Sequence, residues 1–253
     1  LGVDTSHIVR GGERMGIYFV ERGASQRASN VIYDRAHSAI SEATPADFDW
    51  DAIFDGADWF HFTGITPALS DSCAQICLIA CKKAKEKGLT VSCDLNFRKK
   101  LWSPERACVV MSGLMQYVDI CIANEEDAEK VFGIKAPDTN VLTGELSEEG
   151  YSYVCRELTE RFGFLAVAVT LRESISATFN NWSALLFDGS DFYLSKKYDM
   201  YVVDRVGGGD SYSKGIERAG YGPSQRLVPA GATVIAKACE PATRELSPCK
   251  LDV

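Results

Sequence analysis

Thr90-Val91-Ser92-Cys93-Asp94-Leu95-Asn96-Phe97-Arg98 is the stretch that decides the fold class. Thr90 to Leu95 is an apolar run of strand length, and it ends in polar residues. A helical pattern precedes it from Ser70 to Lys87, with Ser70 placed to cap the start and Gly88 to stop the end. Another follows from Pro104 to Tyr117, with Ser103 as N-cap and Pro104 in the first turn. The alternation continues outward. Trp59 to Thr63, Val118 to Ala123 and Leu165 to Leu171 read as strands, while Glu125 to Phe132, stopped by Gly133, and Ser147 to Phe162 read as helices. Short apolar strands separated by amphipathic helices predict an α/β fold, a mostly parallel sheet covered by helices. Segments 177–187 and 191–203 predict an antiparallel pair about Asp188-Gly189. Residues 15–22 and 28–35, rich in polar and aromatic side chains, predict a small β-hairpin ahead of this core.

Composition narrows the function classes. The 253 residues carry 46% hydrophobic and 25% charged side chains, ordinary for a globular chain with a sizeable core. A net charge of −8 argues against general binding to nucleic acid or an anionic membrane, yet leaves room for a small basic pocket. No apolar run approaches the ~20 residues of a membrane helix. The start, Leu1-Gly2-Val3-Asp4, has no signal-peptide pattern, and its lack of Met leads us to expect sequence upstream. Nine cysteines are many. Cys73, Cys77 and Cys81 recur every four residues and so lie along one helical face. Zinc is one reading of them, but metal sites favour closer pairs with His, and reduced, buried thiols in the cytoplasm fit better.

In open α/β sheets, ligands sit beyond the carboxyl ends of the strands. Several polar groups fall at such ends: Asp94, Asn96 and Arg98; Asn124 and Asp127; Thr170, Arg172, Glu173 and Ser174. A further group follows the 191–203 strand, in Asp204-Arg205-Val206-Gly207-Gly208-Gly209-Asp210-Ser211-Tyr212. Two local readings of that segment stand side by side. Gly-Gly-Gly-Asp is a flexible turn with Asp210 as N-cap, or it is an anion site. In the second reading glycine backbones crowd N–H groups around a phosphoryl group, and Asp210 accepts a proton from an attacking hydroxyl. Neither a P-loop nor a dinucleotide fingerprint occurs, so the anion reading points to phosphoryl transfer to an alcohol outside those classes.

These residues resemble the ribokinase-like (PfkB) carbohydrate kinases. The glycine segment is similar to that family's C-terminal signature. Gly16-Ile17-Tyr18-Phe19, Tyr33-Asp34-Arg35-Ala36-His37-Ser38-Ala39, Phe62-Thr63-Gly64-Ile65, Cys93 to Arg98 with Leu101-Trp102, Ala123 to Asp127, and Thr170 to Ser174 look like the members that act on 2-keto-3-deoxygluconate. The resemblance covers roughly residues 1–225. It implies a ribokinase-like sheet with a β-hairpin lid, residues 1–45 forming the lid segment and its connection and residues 46–253 the kinase core. It implies ATP-dependent phosphorylation of the sugar acid's terminal hydroxyl with Mg²⁺. Asp210 would be the base, and Gly207, Gly208 and Gly209 would form the anion hole. Tyr18, Tyr33, Arg35 and Arg98 would meet the small sugar acid. Asn96, Asn124, Thr170, Arg172 and Ser174 would lie by the nucleotide, and Asp127 by the metal. The partner it implies beyond small molecules is a second copy of the chain, through the lid.

Three departures qualify the expectation. The family's N-terminal part, with its first strands and a Gly-Gly…Asn element, has no counterpart here. Ser213-Lys214-Gly215 puts a long cation where members carry small residues, and the tail from Leu227 loses the family pattern. Three functional readings therefore stay open: an active sugar-acid kinase, an impaired remnant that binds ligand weakly or not at all, and a kinase for another sugar such as fructose.

Overall fold

The computed structural model describes residues 4–136 and 148–201, and beyond them Gly207, Gly209, Tyr212, Ser213 and Ile216. A hairpin of β1 (Ile17–Glu21) and β2 (Asn30–Asp34) comes first. Short helices α1 (Ala39–Glu42) and α2 (Trp50–Ile53) then lead into β3 (Trp59–Thr63), α3 (Ile65–Leu69) and α4 (Asp71–Glu86). β4 (Thr90–Asp94), α5 (Pro104–Met115), β5 (Ile120–Asn124), α6 (Glu125–Phe132) and α7 (Glu148–Phe162) follow. β6 (Ala166–Ser174), β7 (Phe179–Phe187), β8 (Phe192–Leu194) and β9 (Tyr198–Tyr201) complete the described elements.

β3 to β9 form one seven-stranded sheet in the order β3-β4-β5-β6-β7, with β8 and β9 both paired to β7. The pairs β3–β4, β4–β5 and β5–β6 are parallel. β7 is antiparallel to β6, β8 and β9, so β7 alone runs against the other six strands. This is the mostly parallel, helix-covered sheet expected from the alternation.

The helix boundaries follow local chemistry. Ser70 Oγ accepts from the Cys73 amide at 3.1 Å and starts α4. Ser103 Oγ accepts from the Arg106 amide at 3.3 Å and starts α5, with Pro104 in its first turn. α6 ends on Gly133 at φ 72, a left-handed cap that costs glycine nothing. Helix α4 buries Cys73, Ile76, Cys77, Ala80, Cys81 and Ala84, a single stripe at helical spacing.

Alternation along the strands sorts side chains onto two faces. Val91, Cys93, Cys121, Ala123, Val167 and Val169 face the helices α4 to α7 and form the larger core. Ile120, Ile122, Ala166, Ala168 and Leu186 point to the other face, where Tyr212 and Ile216 pack. At the amino-terminal end of the parallel strands, Asp119 ties the sheet together. Its carboxylate takes both bonds from Lys85 Nζ at 2.7 Å and one from the Val91 amide at 2.8 Å, and its carbonyl accepts from Leu165 N at 2.8 Å. β5 therefore begins at Ile120, two residues later than the apolar run suggests.

Further elements differ from the sequence reading, α1 and α2 among them. The segment 191–203 is not one strand. Leu194 pairs with Leu185 and Tyr198 with Trp182, so Ser183 and Ala184 face the three residues Ser195, Lys196 and Lys197. This is a bulge, and Ser195 Oγ fills in by accepting from the Ala184 amide at 2.9 Å. Helix α3, with Pro67 inside it, was not anticipated. Within the hairpin segment Arg14 pairs with Asp34 at 2.8 Å, and the hairpin tip meets the core where Ser25 O accepts from the Ala177 amide at 3.0 Å.

No described helix is long and apolar enough to cross a membrane. The six cysteines Cys73, Cys77, Cys81, Cys93, Cys121 and Cys155 are free and buried, and Cys108 is half-buried. Burial pushes the Cys81 and Cys155 thiols up to about 12. A raised folded-state pKa gives stability that is complete below the unfolded value and is lost as pH rises toward the folded one. Urea unfolding should therefore show stability falling from pH ~8.5 upward toward the folded values, and Cys81→Ala or Cys155→Ala should flatten that slope. Unchanged slopes in both variants would contradict this account.

Candidate active site

The ends of β4, β5 and β6 converge, while the end that carries Asp210 lies outside the described residues. At the carboxyl end of the parallel strands lies a cavity of about 370 Å³, a size typical of small-molecule sites. Its floor is Ile122, Ala123 and Tyr212. Asp94 and Asn124 line it from the ends of β4 and β5, and Thr170 and Arg172 from β6. These four occupy alternating positions that point to the sheet face carrying Tyr212. Gly207 and Gly209 close the far side. Gly207 sits in a turn at φ 82, and Gly209, Tyr212, Ser213 and Ile216 have helical backbone. A Cβ added at Gly209 would lie 3.9 Å from Asp94 Oδ2, so the glycine segment passes next to that carboxylate.

The loop after β4 bends sharply. Asn96 is left-handed at φ 41, a conformation asparagine tolerates better than most residues, and its Nδ2 donates to Thr63 Oγ1 at 3.2 Å. Gly64 makes the approach feasible, because a Cβ there would lie 2.1 Å from Leu95 O. Gly64 N donates to Asp94 O at 2.8 Å. The bend carries Arg98 over the cavity, where its guanidinium makes no ion pair among the described residues.

The loop after β5 is a helix start. Asn124 Oδ1 caps α6 by accepting from Glu126 N at 2.9 Å and Asp127 N at 3.0 Å. Asp127 closes the capping box by accepting from Asn124 N at 3.3 Å through Oδ2. Its Oδ1 reaches across to accept from Phe97 N at 2.9 Å. Asp127 is only 2% exposed and lies behind the cavity wall, whereas Glu126 lines the cavity. On β6, Arg172 lies over the face of Trp182, another lining residue, with Cζ 6.0 Å from the ring.

Of the expected site residues, Asn96, Arg98, Asn124, Thr170 and Arg172 meet at this cavity with Gly207 and Gly209. Ser174 stands one step outside, bonded to Arg172 Nη2 at 2.9 Å. Tyr18, Tyr33 and Arg35 form a separate cluster on the hairpin, with the tyrosine rings 6.1 Å apart and Arg35 Cζ 4.3 Å above the Tyr33 ring. Gly208 and Asp210 fall outside the described residues. Glu126, Trp182 and Tyr212 were not singled out beforehand. Only the antiparallel pairing of β7 with β6 brings Trp182 opposite Arg172.

Two exposed guanidiniums and a glycine backbone around a polar cavity suit a polyphosphate. A magnesium ion held mainly by phosphate oxygens and water needs only one or two protein carboxylates. Asp94 and Glu126 could supply these, and among the described residues no cluster of three or more His, Cys, Asp or Glu forms a dedicated metal cage. The donor set therefore fits a nucleotide with Mg²⁺.

A helix-covered sheet with this rim is the architecture of a ribokinase-like protein. The chain matches the pfkB family carbohydrate kinases over residues 1–216, and it belongs to that family. A 2-dehydro-3-deoxygluconokinase structure from Thermotoga maritima superposes with a TM-score of 0.86 at 49% identity, covering 94% of this chain and 70% of that one. A 2-dehydro-3-deoxygalactonokinase from Haloferax volcanii is 34% identical over 199 residues, 79% of this chain and 56% of its own length. A 2-dehydro-3-deoxygluconokinase from Thermoproteus tenax is 36% identical over 142 residues, 54% of this chain and 42% of its own. This chain spans about half the length of these two curated relatives.

The double use of Asp127 gives a direct test. Asp127→Asn keeps one acceptor oxygen but replaces the other with an amide nitrogen, leaving a buried N–H without its acceptor. Stability in urea should fall by about 1–3 kcal/mol, equally with and without Mg²⁺. An unchanged stability would mean the clamp carries no weight.

Proposed function

We propose that this chain transfers the terminal phosphoryl group of ATP to the terminal hydroxyl of 2-keto-3-deoxygluconate. The observation that carries this reading is the meeting of Arg98, Arg172, Gly207 and Gly209 at one cavity beyond the parallel strands, beside Asp94. Family membership and the names of the relatives support the substrate class.

ATP supplies the phosphoryl group, and Asp94 and Glu126 would hold a Mg²⁺ ion that would offset the phosphate charge. Asp210 accepts the proton of the attacking hydroxyl. Gly207, Gly208 and Gly209 direct N–H groups at the charge developing on the transferring group. Arg172, Thr170, Asn96 and Asn124 serve the nucleotide side. Arg98 reaches the substrate from above, where its fork suits a carboxylate. Tyr18, Tyr33 and Arg35 present an aromatic and cationic face from the hairpin, which acts as the lid over the sugar acid and as the contact to a second copy. Asp127, at the family's acidic position near the metal, works by holding the loops that carry Asn96, Arg98 and Asn124, while Asp94 and Glu126 are the carboxylates at the cavity.

A second reading of the substrate has its own support, since one relative is named for the galactonate epimer. Both epimers present the same carboxylate and the same terminal hydroxyl. A coupled ADP-release assay with 2-keto-3-deoxygluconate, its galactonate epimer and fructose separates the cases. Turnover is expected with one or both acids and little with fructose, and Asp210→Asn should lower kcat by ~10²–10⁴. Arg98→Ala should raise the KM of the acid at least tenfold, the ~1.4 kcal/mol or more of one lost charge-assisted contact. ADP release with fructose but with neither acid would overturn the sugar-acid reading, and a full rate in Asp210→Asn would remove Asp210 as base.

A further inference from the structure

We infer that Asn180 is a positioning residue for Arg172, and that Ser174 and Trp182 complete the cradle. The inference rests on the proposed role of the cavity as the site for nucleotide phosphates, and deepens it. Arg172 and Ser174 are two apart on β6, so they share a face, and Asn180 and Trp182 share the matching face of β7. The register sets Arg172 opposite Trp182 and Ser174 opposite Asn180. All four side chains therefore meet on the cavity side of the sheet.

The bonding within this square is directional. Arg172 Nε donates to Asn180 Oδ1 at 3.1 Å, and Arg172 Nη2 donates to Ser174 Oγ at 2.9 Å. Ser174 Oγ in turn donates to Asn180 Oδ1 at 2.9 Å. Asn180 is anchored in turn, since its Nδ2 donates to Ser176 O at 3.3 Å in the β6–β7 turn. Two bonds from one edge of a planar guanidinium fix its plane, and the Trp182 ring covers one face of it at 6.0 Å.

The burial pattern separates the roles. Asn180 is 1% exposed, although asparagine is rarely buried without a specific partner, while Arg172 and Ser174 are exposed. A buried amide whose oxygen serves an arginine at a cavity wall has a function in holding that arginine. Ser174 spends its one proton on Asn180, so it acts through Arg172 rather than as a phosphate ligand in its own right. The gain is pre-organisation: the arginine loses its rotamer freedom in the free protein and not on binding.

The test measures ATP–Mg²⁺ binding to the full chain by calorimetry, together with thermal stability and, where turnover occurs, separate KM values for ATP and for the sugar acid. Arg172→Ala is expected to weaken ATP–Mg²⁺ binding at least ~10-fold, and Asn180→Ala to weaken it ~5–10-fold, with the sugar-acid KM within about twofold of the parent. Asn180→Asp keeps the oxygen that accepts from Arg172 but sets a second oxygen against Ser176 O and a negative charge beside the phosphates, so it should weaken binding at least as much as Asn180→Ala. Because Asn180 is buried, Ser174→Ala at an exposed position provides an independent route, with an expected loss of ~2–5-fold. Once Arg172 is Ala, adding Asn180→Ala should cost nothing more, as for two residues acting through one group. Parent-like ATP affinity in both Asn180→Ala and Ser174→Ala, or full additivity with Arg172→Ala, would overturn the inference while leaving the phosphate site intact. A neutral Arg172→Ala would instead remove the phosphate reading of this wall, and the inference with it.

Discussion

A buried carboxylate sets the geometry on which the site depends. Asp127 sits in the first turn of α6 and accepts one amide from the loop after β4 and another from the loop after β5. Taking a charge out of water is costly unless donors replace the water. Here the donors are backbone groups that would otherwise be orphaned at a helix start and a chain bend, and the helix dipole favours a negative charge at that end. One side chain thus satisfies two loops and fixes the distance between them. Asn96 and Arg98 on one side and Asn124 on the other take their places from that clamp.

The same economy recurs across the sheet. The helix-facing side is filled with small and medium side chains, Val, Ala and Cys, which lets four helices settle close to the strands. The opposite side carries apolar residues at mid-strand and polar ones toward the strand ends. Asp94, Asn124, Thr170 and Arg172 continue the rows that Ser92, Ile122, Ala168 and Thr170 begin. Alternation therefore serves two purposes at once: the middle of each strand packs, and its end projects into the cavity. β7 extends this arrangement by running the other way, which lays Trp182 and Asn180 beside Arg172 and Ser174.

Much of this was legible in the sequence where local chemistry governs. The run Thr90 to Leu95, the caps Ser70 and Ser103, and the stop at Gly133 act over a few residues, and each was read correctly in place. Legibility failed where distant groups decide. The bulge at Ser195 to Lys197 interrupts a segment that alternates well enough to pass for one strand. β5 starts late because Asp119 is drawn into bonds with Lys85 and Val91. Helix α3 contains Pro67, a residue that argues against a helix until tertiary contacts supply one. The sequence left Asn124 open between a helix cap and a metal-linked element; its hydrogen bonds show the cap, and the clamp that Asp127 makes to Phe97 joins positions no local pattern links.

By itself, the sequence determined the α/β class and the order of the central elements, because apolar periodicity and caps are short-range signals, and its motifs carried the resemblance to the family. It also placed polar residues at the strand ends, since strand polarity follows from where each apolar run stops. The tertiary structure alone decided which of those residues share a cavity, that Asp127 serves from behind the wall, and that Asn180 and Trp182 stand beside Arg172. Those facts depend on register, on strand direction and on the approach of Gly64 to Leu95. Such contacts join positions tens of residues apart, and no local pattern encodes them.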